Sequence, residues 1–570
     1  MRLRTPSACL AAIIAVGSQL CAAEIAWTGA SGRWADAARW NGGRVPVAAD
    51  SAVLGDVATG TRTVTVATPT TIARLAIDQA GAGTNALLFE HDLTISGGAA
   101  PALALTRKGG ALTTDMAGRR LTIIGDSLGT LSLPGSWTMG PGSVFELGFA
   151  NPQGGAELIN EGTFSQSGGK LLFHWTSATF NNAVRRFVNR PGATWTMTAG
   201  ARIDWLADNG IKGGFGAMHD CRNEGSMRIA GDSTISVGLF DNSGALVLDG
   251  AVLGGSFDNT VLCNSGTGTV DVVGDAWVGR GDDAPSNQPA RIENGGADKA
   301  GAQLRVGDGK QPAVLTVKNG ESTVKNHKGS TVVIAPQGTL KLAVHASLDP
   351  HAYQGRATTI INHGMWTQHG CIQLAPNHVP NATIGVLNKG SFEIVGALAV
   401  IERLPSPRSE AYSDANLTSI GNHTGGLLTG SGTLRYRNST GNVAVGALNV
   451  SNSGTIAPGS PANVGILTLV DADVRFADTG SGTLAIRVVG AKPEACDQLV
   501  LAGDHGGTFA LNAEGSALSV KLDKGFVPKA AAAWRIVTAK QVTGTFSALD
   551  LPKGFSVATD ATGLTISFKP

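Results

Sequence analysis

The sequence predicts an all-β chain, a right-handed parallel β-helix (solenoid) with an N-terminal Trp-rich cap and a C-terminal β-rich cap. Three observations carry this. First, a short phrase recurs eleven times: apolar residue, any residue, Asn, then Gly two or three positions on. Its Asn positions are Asn160, Asn189, Asn223, Asn242, Asn264, Asn294, Asn326, Asn362, Asn388, Asn422 and Asn452. The residue two before each Asn is always apolar, from Leu158 and Phe187 to Ile420 and Val450, while the residue just before it is mixed. That is a strand alternating inward and outward as it reaches a turn. A turn-ended unit recurring at roughly 19 to 36 residues describes a solenoid of strands. Second, 78 of 570 residues are Gly and only 15% are charged, which suits short stacked strands joined by tight turns. Third, no useful helical periodicity follows the first 23 residues. Crossover chirality makes the right-handed coil the default.

The elements follow in order. Residues 1–23 read as a signal peptide: Arg2 and Arg4, an apolar run from Ala8 to Val16, then Cys21-Ala22-Ala23 before Glu24. Ser18-Gln19-Leu20 lacks the small residues expected before a lipidated Cys21. Residues 24–50 hold Trp27, Trp34 and Trp40 among Gly and Asp. They suit a layer covering the first coil, and sugar-binding Trp platforms are the sharper alternative. Residues 51–469 form the expected β-helix. Its early part, to about 151, has β-rich runs such as Thr63-Val64-Thr65-Val66 but lacks the Asn turn. Second alternating runs then follow the Asn turns, as in Ser226-Met227-Arg228-Ile229 and Ser391-Phe392-Glu393-Ile394. Three short strands per coil are expected. A composition shift near Gly454 leads to longer strands, and residues 470–570 are the expected C-terminal cap.

The two ends carry a resemblance. The block Trp27…Trp40-Asn41…Pro46…Asp50, and the tail Ala457-Pro458-Gly459-Ser460, Leu467-Thr468-Leu469, Asp497-Gln498-Leu499-Val500 and Gly544-Thr545-Phe546, resemble bacterial exported proteins with autotransporter-associated β-strand repeats. With the Asn coils, the likeness covers most of the mature chain. It implies a passenger-like, adhesive or surface-structural role. The membrane barrel of such proteins, with its alternating strands of about ten residues, is not expected within these 570 residues.

A formal net charge of +1 gives no long-range field toward nucleic acid or an anionic membrane. No zinc-finger, P-loop or dinucleotide motif is present, and no segment after the signal reaches the 18 apolar residues of a membrane helix. An exported protein is expected, in the periplasm, at the cell surface or outside. Of its cysteines, Cys221 takes the inward apolar slot and Cys263 the opposite face, which argues against a bridge between them. Cys371 and Cys496 complete the set, and buried free thiols are expected.

Several residues are candidates for function. The ladder Asn side chains are expected to hydrogen-bond from rung to rung. The residue after each Asn protrudes at one corner, and His327, His363, Lys389 and His423 fall there in succession. Such a stripe, stronger below about pH 6.5, would bind an acidic polysaccharide or cell-surface glycan. The alternative function is a polysaccharide lyase or glycoside hydrolase working in a groove along the coils. A lyase needs a cation, a base and an acid near one sugar. Arg356, His351 or His369, and Tyr353 have those chemistries, in a His-enriched stretch with His345 and His378. Paired carboxylates for hydrolysis are offered by Asp204, Asp208 and Asp220, beside Trp205, Lys212 and His219. Asp282-Asp283 would hold Ca²⁺ at best; no other cofactor or metal is expected. Trp366 occupies the slot of Phe164, Met227, Leu246, Phe392 and Ile456, so an internal stacking rung is expected.

Overall fold

A computed structural model describes residues 23–97, 102–149, 155–175, 185–207, 219–255, 260–280, 289–296, 301–319, 321–344, 358–375, 384–405, 418–439, 446–476 and 481–570. Its strands pair in parallel from one coil to the next, so the chain is a parallel β-helix. Three faces surround one apolar interior. Strands ending in the repeated Asn form the first face, a 15-stranded sheet running from Gly129–Leu133 to Gln541–Thr543. Ahead of it, four strands between Glu24–Ala26 and Leu103–Arg107 form a separate sheet. The second and third faces belong to one 36-stranded sheet. Two long strands, Ser226–Ile235 and Ala245–Gly255, run through both faces and join them.

Alternation explains the burial. In Thr194–Thr198, Trp195 and Met197 are buried while Thr194 and Thr196 are exposed. Parallel pairing stacks like positions, so the second face carries a continuous internal column. It reads Trp137, Phe164, Trp195, Met227, Leu246, Val270, Leu304, Val332, Trp366, Phe392, Leu428, Ile456 and Leu484. Trp366 is 1% exposed and stacks on Phe392 at 6.0 Å. Burying such side chains is the main favourable term in each rung, at about 1.5–3 kcal/mol per large apolar side chain.

The repeated Gly has two separate causes. At most of the positions two after the Asn, as at Gly162, Gly225, Gly244, Gly364, Gly390 and Gly454, the preceding coil leaves no room: a Cβ on Gly390 would lie 2.2 Å from the Gly364 carbonyl oxygen. Where it falls three after, the backbone turns left-handed, as at Gly425 with φ +85°.

Both ends differ from the composition-based boundaries. The first rung already lies inside the Trp-rich block, because Glu24–Ala26 pairs in parallel with Ser51–Leu54. Trp27, Trp34 and Trp40 pack edge-on, with centroids 5.0 and 4.9 Å apart, and all three are buried. They form an apolar plug rather than an exposed sugar platform. At the other end, parallel rungs continue past 469, through Ile466–Val470 with Gln498–Ala502 and Ser516–Leu522 with Ala548–Asp550. The coil closes only where Gly563–Phe568 pairs antiparallel with Ala532–Thr538 and Phe555–Asp560. Composition shifted before topology did, because longer strands still form parallel rungs.

Candidate functional site

The Asn strands build their own support. Each ladder Asn is buried, and its Nδ2 donates to the Oδ1 of the next Asn at 2.7–2.9 Å, unbroken from Asn160 to Asn452. Most also donate to a backbone carbonyl in the following strand, as Asn264 does to Gln303 at 2.9 Å. The amide plane thereby satisfies turn groups that no water reaches. At the far end Phe476 takes the Asn slot, and the buried Nδ2 of Asn452 has no partner. A related residue is absent from the eleven phrases. Gln79 ends an early strand, is buried, and donates to the Val57 and Gly81 carbonyls. Ile77, Gln79 and Gly81 reproduce the phrase with one methylene more, which was the signal available in the sequence.

The corner after the Asn does collect the expected column, but its charge is divided. His327 meets Glu293 at 2.6 Å, and Lys325 lies 3.7 Å from the same carboxylate. Burial pushes the His363 imidazole below its usual range, and the nearby Lys389, Lys325 and His327 push it further. His423 lays its ring back against Gly421. Earlier in the column, Arg190 pairs with Glu224 at 3.3 Å, as their alternating signs favour. His327, His363, Lys389 and His423 are therefore stacked without forming a uniform cationic stripe at neutral pH.

Few of the enzyme candidates fall within the described residues. His351, Tyr353 and Arg356 lie outside the described residues, as do His345, His378, Asp208, Lys212, Asp282 and Asp283. His369 sits at the corner between Met365–Gln368 and Cys371–Leu374, from the second to the third face. The strands on either side of residues 345–357, Gly338–Val344 and Thr358–Asn362, belong to the third and first faces. Asp204 and Asp220 stand on separate faces. Asp204 accepts from Ser236 at 2.8 Å and pairs with Lys170 at 3.1 Å. Asp220 is clamped by Arg186 at 2.7 Å. Each carboxylate is engaged in holding neighbouring rungs, and Trp205 is internal, stacked on Phe173. Among the described residues, no group of three His, Cys, Asp or Glu is placed to hold a metal.

All four described cysteines are free thiols. Cys221 is internal, and burial holds its pKa well above the usual thiol value. Cys496 is also buried. Cys263 and Cys371 correct the expectation of uniformly buried thiols: they face outward and are only half-buried. Burial nonetheless pushes Cys371 and Cys496 up to about 12.

The faces themselves are repetitive. On the second face Ser136 and Thr138, Thr163 and Ser165, and Thr194 and Thr196 point outward in register. This uncharged hydroxyl array is bounded by Asp115 and Arg228. On the third face the Trp277 side chain points out, half-buried between the inward Ala276 and Val278. The alternation Ala-Trp-Val encoded this. Among the described residues, no helix is long and apolar enough to cross a membrane. Compared with models of known protein families and with curated protein sequences, the chain matches none.

Proposed function

We propose that this chain is an exported, non-catalytic scaffold that binds an extended glycan along its side and serves adhesion or envelope structure. One observation carries the reading: outward side chains repeat in register along the helix axis, at about 4.8 Å per rung, over a sheet of 15 strands and another of 36. Such a surface matches a repeating polymer better than a single small molecule. Asp204 and Asp220 are held in inter-rung ion pairs, which agrees with a structural use of these two carboxylates. The resemblance of both ends to passengers with autotransporter-associated β-strand repeats points the same way.

The test incubates the protein with a panel of acidic and neutral polysaccharides. It reads binding by affinity electrophoresis, with unsaturated-product absorbance and reducing ends in parallel. Retardation by at least one polymer without product supports the scaffold. Product release overturns it in favour of a lyase or hydrolase.

A further inference from the structure

We infer that the N-terminal half of the second face is an ice-binding surface, a flat and nearly uncharged grid of hydroxyl and methyl groups whose ligand is the ordered water of an ice crystal. Ice binding here stands apart from the glycan reading and does not depend on it.

Six successive strands carry the grid: Thr61–Val66, Thr84–Phe89, Ala111–Asp115, Ser136–Met139, Thr163–Ser167 and Thr194–Thr198. They pair in parallel and in register, without a bulge. Their outward positions are Thr or Ser except Ala86, Leu88, Ala111 and Asp115. One column reads Thr63, Ala86, Thr113, Ser136, Thr163 and Thr194. Beside it runs Thr65, Leu88, Asp115, Thr138, Ser165 and Thr196. Ser167 and Thr198 add a third column on the last two rungs. All of these positions are exposed or half-buried. Asp115 is the one charge among them, and its carboxylate accepts from the Ala117 amide at 3.0 Å. Other charges stand at the two ends, where Arg33 pairs in register with Thr65 and Arg228 with Thr196.

The backbone holds this grid at fixed spacing. Beneath it Trp137, Phe164 and Trp195 are at most 2% exposed, and Phe164 stacks on Trp195 at 4.0 Å. At the corner, Asn160 of the buried ladder donates to the Thr194 carbonyl at 2.9 Å. Rungs repeat at about 4.8 Å, and alternate residues of one strand at about 6.6 Å. The hydroxyls follow the backbone: Thr194 Oγ1 donates to Thr163 Oγ1 at 3.3 Å.

The grid's outward groups include no aromatic plate and no cation, the groups that hold a sugar most strongly. Single hydroxyls bind weakly, because water competes for each bond. Many of them together gain against a partner that is itself rigid and periodic, since neither side then loses freedom on contact. Ice is such a partner, and it carries no charge. Each Thr offers a hydroxyl to bond a lattice water and a methyl that orders water in the gap between columns. A charged side chain holds its own water and disrupts that order.

The experiment grows an ice crystal slowly from solutions of wild type, Thr163→Tyr, Thr194→Lys and Thr130→Tyr. Thr163 and Thr194 lie within the grid, and Thr130 is an exposed residue of the first face. Protein in the melted ice is compared with protein in the remaining liquid, and the gap between melting and growth temperatures is read. Binding to crystalline cellulose and chitin is measured in parallel, and thermal unfolding reports folding. Wild type is expected to enter the ice well above serum albumin. Thr163→Tyr, which raises a ring above the grid, and Thr194→Lys, which brings a charge, are each expected to lose most of that uptake. Thr130→Tyr is expected to keep it. Wild type excluded from ice as fully as albumin overturns ice binding, while the polysaccharide panel judges the glycan reading separately. Exclusion from ice together with cellulose or chitin binding that Thr163→Tyr abolishes overturns it in favour of a neutral glycan. Uptake that both grid variants retain, or that Thr130→Tyr loses equally, overturns the location. Should one grid variant unfold, the other decides.

Discussion

Asn264 makes three side-chain hydrogen bonds: it accepts from Asn242 and donates to Asn294 and to the Gln303 carbonyl. Asn452, at the end of the ladder, accepts from Asn422 but its buried Nδ2 has no partner. Asn264→Ala should therefore cost about 2–4 kcal/mol and Asn452→Ala distinctly less. Denaturant midpoints of the two variants check this, and equal losses would count against the ladder as a linked unit. Ala199 holds φ +54°, which suits Gly better. Ala199→Gly should be neutral or stabilising by up to about 1 kcal/mol, against the usual loss on placing Gly in a strand-rich chain. Asp50 supplies the pH test. The Arg44 guanidinium holds its carboxyl at about 2, with the Val47 and Ala23 amides assisting. A lowered carboxylate contributes stability that is full above its ordinary value of 3.8 and lost as pH falls through about 2. In Arg44→Ala, amide exchange in Glu24–Ala26 should accelerate at higher pH than in wild type. The ladder residues were legible from spacing alone, because a buried turn demands the same amide in every coil. The pairing of His327 with Glu293 was not, because Glu293 arrives from the preceding rung, 34 residues earlier.

At the scale of the element, each rung is limited by its closest approach. Gly390 cannot accept a methyl group without moving the Gly364 carbonyl, so Gly390→Ala should separate two rungs at one corner. A loss of about 2–3 kcal/mol is expected, with faster amide exchange in Ile384–Asn388 and Ser391–Ile394 and little change in distant strands. Spread of the effect across the whole molecule would contradict nearest-neighbour stabilisation. The strand pattern of period two was readable throughout and assigned inner and outer residues correctly for Cys221, Cys263 and Trp366. It also contained the outward phase of Trp277. The Gln79 turn stayed hidden because a Gln in place of Asn leaves the alternation intact while changing the letter that marks the repeat.

Across the whole molecule, stability comes from one extended interior rather than from crosslinks. The four described thiols are free, so reduction should leave the thermal unfolding temperature unchanged, and a downward shift on adding reductant would contradict this. The parallel topology also brings side chains from coils 19 to 36 residues apart into each column, which is where candidate sites are decided. By itself the sequence determined the solenoid, its three-strand coil and the Asn corner, because those depend on local alternation and on turns that repeat. Tertiary structure alone decided how charge is distributed over the surface. It engaged Asp204 with Lys170 and Asp220 with Arg186, and divided the His column by placing Glu293 beside His327. It also placed Lys318 over Trp277. The physical reason is register: which residues of successive coils lie side by side depends on loop lengths between strands, and no local pattern in the chain carries that information.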